Sequence, residues 1–119
     1  IPRQVASALL GLVGAFQLAL AAGAPWGGAA WGGAHPGALP TPLRVSSAAT
    51  AVVLLALVAL VRASGRGVWR RRALTAGGVA FGCSAGLNAL SSSAVERFVW
   101  APVAAALAWS LLASREPRA

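Results

Sequence analysis

Four apolar stretches, parted by short segments that carry almost all of the charge, constrain this chain more than any other feature. They run over 5–24, 45–61, 73–90 and 98–113; Ser7, Gln17 and small residues alone interrupt the first. A helix needs roughly 20 apolar residues to cross the hydrocarbon core of a bilayer. Local signals lengthen the second and fourth stretches toward that figure. Thr41-Pro42 offers a capping hydroxyl followed by Pro at the first helical position, where a missing N–H is harmless. Ser93-Ala94-Val95-Glu96 has the form of a capping box, in which Glu96 reaches back to the Ser93 N–H. The expected spans are about 5–24, 42–61, 73–90 and 94–113, close to 30 Å for a 20-residue helix. Pro102 lies inside the fourth and should kink it at the carbonyl of Phe98. The fold class that follows is all-α: a polytopic membrane protein forming one four-transmembrane-helix bundle over residues 1–119.

Composition agrees. Charged residues make up 10% of the chain and hydrophobic ones 58%, whereas a soluble domain carries about 25% charged residues. The ten basic residues are all Arg, the only acids are Glu96 and Glu116, and the formal net charge is +8. Arg without Lys fits GC-rich coding. With four spans, Arg3, Arg62, Arg66, Arg70, Arg71, Arg72, Arg115 and Arg118 share one side, and only Arg44 and Arg97 the other. The positive-inside rule then puts both termini in the cytoplasm of a multi-pass bacterial inner-membrane protein. The basic excess is a topology signal with some affinity for anionic lipid headgroups. Nucleic acid is not an expected partner, because no basic soluble face exists to receive it. The first stretch, with Arg3 ahead of it and Ala21-Ala22-Gly23-Ala24 behind, has the look of a secretory signal. It is longer than a usual signal core and is read as an uncleaved first helix.

Small residues set the expected packing. Gly78, Gly82 and Gly86 repeat at four-residue steps along one face of helix three, and Ser7 and Gly11 do so on helix one. Such faces let helix backbones approach closely in lipid. Helix three is therefore expected at the centre of the bundle, with Cys83 as a small buried residue. Gln17, near the middle of helix one, is expected to bond across to another helix as packing glue.

The outer side holds the unusual chemistry. Its first loop carries Trp26, Trp31 and His35 among Gly and Pro residues, which suits interfacial anchoring or a loop folded back over the bundle mouth. Arg44, Asn88, Ser91, Ser92, Ser93, Glu96 and Arg97 lie on the same side. Trp26, Trp31, His35, Arg44, Asn88, Glu96 and Arg97 are the candidate ligand-binding residues. Plainer roles exist for several: Glu96 in its capping box, Arg44 and Arg97 snorkelling to the interface, His35 exposed before Pro36. Only His35 and Glu96 outside the C-terminal tail are available as acid–base groups, and no catalytic residue is assigned. One His and one Cys make neither a multi-His metal site nor an internal disulfide, and no cofactor is expected. A small multidrug-resistance exporter needs a carboxylate in helix one, where this chain has Gln17. A channel lacks its polar stripe, and a thiol–disulfide enzyme of the epoxide-reductase type lacks its Cys pair.

Gly23-Ala24-Pro25-Trp26-Gly27 after helix one, Leu39-Pro40 before helix two and Trp100-Ala101-Pro102 in helix four resemble the small four-helix bacterial membrane proteins grouped as families of unknown function. That resemblance implies a fold and carries no mechanism. The leading functional expectation is a non-enzymatic accessory subunit, its partners being membrane lipid, another membrane protein or a second copy of itself. Next comes a binder or transporter of a lipid-like or weakly polar small molecule through the outer cluster. A membrane enzyme using His35 and Glu96 is third. An accessory subunit would leave a small-residue face uncovered, whereas a binder would open a pocket beneath the first loop.

Overall fold

The computed structural model describes residues 1–63 and 67–115. Four helices form: α1 (Pro2–Ala21), α2 (Thr41–Arg62), α3 (Val68–Ala89) and α4 (Ala101–Ala113). The described residues include no strand, only an isolated bridge between Trp26 and Gly37. Arg66, Glu116 and Arg118 lie outside the described residues. The helices run up and down as two hairpins, α1–α2 and α3–α4, joined along α1 and α4, in a body 46 × 25 × 19 Å. Helix three is thus peripheral, not central. The two hairpins meet mainly through α1 and α4, and all four helices send side chains into the core, with Leu10, Leu57, Leu74 and Leu107 among them.

The ends of the helices follow from local chemistry. Pro2 opens α1, which stops at Ala21 because Gly23 takes a left-handed turn at φ +101°. The helix therefore begins and ends about three residues earlier than the expected 5–24. Helix α2 begins at Thr41 with Pro40 as its cap residue and no side-chain capping bond, so the Thr41 hydroxyl does not cap. Helix α3 starts five residues before the expected 73 and takes Arg70, Arg71 and Arg72 into its first turn. Pro102 bears on the turn ahead of it. Lacking an N–H for the Phe98 carbonyl, it leaves a wide π turn over Glu96–Trp100, closed by the Ala101 N–H on the Glu96 carbonyl. Within this turn Glu96 is buried while Arg97 and Phe98 are exposed.

Arg side chains tie down the helix ends opposite the loop. Arg70, though buried, donates to the carbonyls of Leu60 (2.8 Å), Val61 (3.3 Å) and Ser114 (3.2 Å). Arg3 reaches the same Val61 carbonyl at 3.0 Å. Carbonyls at a helix C-terminus lack intrahelical donors and carry partial negative charge, so cations there both satisfy and stabilise them. The main core, with Ala6, Leu10, Leu54, Leu57, Val61, Leu74, Leu107 and Leu111, sits toward this end. A smaller cluster of Leu20, Ala30 and Leu39 lies under the loop.

The outward faces are apolar. Leu12 and Leu18 on α1, Val52, Val53 and Leu55 on α2, Val79 and Leu87 on α3, and Trp109 on α4 are all exposed. Two helices, α1 and α2, are long and apolar enough to cross a membrane.

Candidate functional site

The loop between α1 and α2 is a built structure. After Gly23 the chain makes two single 3₁₀ turns, Gly27–Ala29 and Trp31–Gly33. The Gly27 N–H closes on the Gly37 carbonyl at 2.8 Å. A Cβ on Gly27 would fall on the His35 carbonyl oxygen and 2.6 Å from that of Gly37, so this crossing needs Gly. Trp31 is held at φ +50°, a left-handed conformation that a bulky residue rarely adopts and that stores of order 1–3 kcal/mol. Its indole Nε1 donates to the fully buried Ser47 hydroxyl of α2 at 3.0 Å.

Two more bonds fasten the loop to the segment ahead of α4. Ser93 Oγ donates to the Gly28 carbonyl at 2.7 Å, and the Gly32 N–H donates to Glu96 Oε2 at 3.2 Å. Half of the expected capping box forms, with the Glu96 N–H on Ser93 Oγ at 3.4 Å. The other half does not. The Ser93 N–H goes to Ser91 Oγ at 3.1 Å, and the Ser91 hydroxyl in turn donates to Glu96 Oε1. The Glu96 carboxylate is thereby released from its local role to hold the loop.

Beneath the loop the bundle is not filled. A half-open cavity of about 600 Å³ lies there, within the range typical of small-molecule sites. Ala29, Ala30, Trp31 and Gly32 of the loop line it, with Val13, Phe16 and Gln17 of α1, Thr50 and Leu54 of α2, and Phe81, Ser84, Leu87 and Asn88 of α3. Ser91, Ser92, Glu96, Trp100, Val103, Ala104 and Leu107 complete the wall. The walls are apolar and aromatic with a few polar groups. Two wall residues also carry a side-chain atom, Gln17 Oε1 and Trp100 Nε1, that is buried away from open space without a hydrogen-bond partner among the described residues. An unpaired buried polar group costs about 1–3 kcal/mol.

The outer cluster divides on this geometry. Trp31, Asn88 and Glu96 come together on the cavity wall. Asn88 donates to Ser84 Oγ at 3.3 Å. Trp26 stands outside the wall, half exposed, stacked on Phe16 with ring centroids 6.3 Å apart; Phe16 also packs at 4.7 Å on Trp100. His35 is exposed on the loop and is not part of the wall. Arg44 turns to the end of α1 and donates to the Ala21 carbonyl at 3.0 Å. Arg97 folds back on the Ser91 carbonyl at 2.9 Å and lies over the Phe98 ring. Neither guanidinium faces the cavity, and His35 and Glu96 are not paired. Gln17 is no interhelical glue, since its oxygen has no partner. Phe16, Trp100, Phe81 and Thr50 are the wall residues that sequence reading passes over. The position of Trp100 two residues before Pro102 was the available signal.

The small-residue faces also divide. Gly78 is buried where a Cβ would come 2.7 Å from Leu112 Cγ, so it does set the α3–α4 approach. A Cβ on Gly82 would lie 3.9 Å from that of Ala108, an ordinary contact, while one on Gly86 or Gly11 would meet open space. Ser7 is half-buried. Cys83 is exposed, not buried, because it lies on the outer face of a peripheral helix. Among the described residues no group of three or more His, Cys, Asp or Glu side chains could hold a metal ion. No protein-family model matches the chain, and neither curated proteins nor solved structures give a match.

Proposed function

We propose that this chain is a four-span integral membrane protein that binds a lipid-like or weakly polar small molecule inside its bundle. The observation that carries this reading is the cavity itself, walled mostly by apolar and aromatic residues with a few polar groups. Apolar surroundings would hold the body of the ligand, and the few polar groups on the wall would meet its polar part. The four-span topology is supported by large apolar side chains pointing outward on all four helices. A soluble bundle would turn that face inward. Both termini and the α2–α3 connection would then be cytoplasmic, with the Trp loop outside.

Native mass spectrometry of the protein released gently from its own membranes tests this. The expected result is a single chain, or a homodimer, that retains one reproducible small-molecule mass. Ala104, buried on the cavity wall, offers the control: Ala104→Phe fills the space and should abolish that mass while leaving bulk lipid adducts. A second polypeptide at fixed stoichiometry, with no small-molecule mass, would overturn the reading. It would favour the accessory-subunit role instead, for which the open faces at Gly11, Gly82 and Gly86 are the supporting observation.

A further inference from the structure

We infer that the molecule held in the cavity is an amphiphilic cation, one positive head on an apolar body. This rests on the binding role proposed above and adds the sign of the ligand's charge. Among the described residues, Glu96 is the only charged one on the cavity wall. It is 95% buried, being 5% exposed. Its two oxygens accept from the Gly32 N–H and the Ser91 hydroxyl, both neutral donors, and no cation pairs with it among the described residues. A carboxylate withdrawn from water without a counter-ion is costly, and a cation arriving beside it recovers much of that cost. The two guanidinium groups at this end of the bundle, Arg44 and Arg97, are turned away onto the carbonyls of Ala21 and Ser91.

The aromatic part of the wall agrees in sign. Phe16, Phe81, Trp31 and Trp100 line it, and aromatic faces are electron-rich and attract cations. An anion of the same shape would meet the carboxylate and the ring faces with repulsion.

Tetraphenylphosphonium, tetraphenylborate and neutral triphenylphosphine oxide are similar in size and differ in charge, and they suit the test. Each is titrated into the full chain in neutral-detergent micelles, with empty micelles as the blank and tryptophan fluorescence or heat as the readout. The phosphonium should bind at least tenfold more tightly than the neutral oxide, and the borate should not bind. Glu96→Gln should remove that tenfold preference. Equal binding of cation and neutral oxide by the wild-type chain would overturn the charge assignment and leave the cavity-binding role standing. Binding of none of the three, in a chain that is folded by circular dichroism, would overturn both. Because the wild-type comparison needs no variant, a Glu96→Gln chain that fails to fold does not remove the test.

Discussion

The backbone N–H of Gly32 donates to Oε2 of Glu96 at 3.2 Å, joining positions 64 residues apart. That bond makes the outer loop a roof over the bundle. It also explains why the acid ahead of α4 is buried although local pattern places it at a solvent-facing helix start. The same carboxylate holds the roof from one oxygen and the Ser91 hydroxyl from the other.

Glu96→Ala should therefore loosen the roof. It leaves the Gly32 N–H and the Ser91 hydroxyl without their acceptor, which costs about 1–3 kcal/mol when such groups stay buried. The expected outcome is a lower thermal midpoint in detergent and faster hydrogen exchange at Gly32 and Gly33. Glu96→Gln retains an acceptor and should lose less. Unchanged exchange at these two glycines in the Ala variant would show that the bond does not fasten the loop.

Trp31 and Ser47 offer a cleaner energy. Their 3.0 Å bond joins the strained loop residue to a fully buried hydroxyl. A double-mutant cycle of Trp31→Phe and Ser47→Ala should give a coupling of about 0.5–1.5 kcal/mol, the usual net value of a hydrogen bond. Additive losses would mean that the two side chains stabilise the fold independently.

Four glycines should respond in two opposed pairs. Gly27→Ala drives a Cβ into the carbonyls of His35 and Gly37, and Gly78→Ala presses one onto Leu112. Backbone cannot yield as a side-chain tip can, so Gly27→Ala should prevent the loop from closing. Gly78→Ala should cost about 1–3 kcal/mol, typical of overpacking. Gly11→Ala and Gly86→Ala meet open space in helices and should stabilise by about 0.5–1 kcal/mol through helix propensity. Thermal unfolding of the four variants in one detergent reads all of these; a loss at Gly11 or Gly86 would reveal a covered face, as a partner subunit requires.

Cys83 reports on the proposed topology. It is exposed on α3, in the segment proposed to lie within the bilayer. In sealed vesicles a charged methanethiosulfonate should leave it unmodified from either side, while an uncharged, lipid-soluble maleimide should label it. Rapid labelling by the charged reagent in intact vesicles would place that part of α3 outside the hydrocarbon.

Helices were legible because their signals are local. Apolar runs of spanning length, Pro2 at a start, Gly23 past an end and Pro102 inside the last helix act on their own neighbours, and the structure departs from them by a few residues only. That Trp31, Asn88 and Glu96 lie near one another was legible, since each is a polar or aromatic residue at the same end of the bundle, and all three line the cavity. What tertiary structure alone decided is direction. Whether Arg44 faced a ligand or the Ala21 carbonyl, whether Gln17 met a partner, and which helix lay at the centre all depend on groups far away in the chain. The cavity belongs wholly to that second kind. It is a volume bounded by all four helices and the loop, and no local pattern of residues encodes a space that their packing leaves empty.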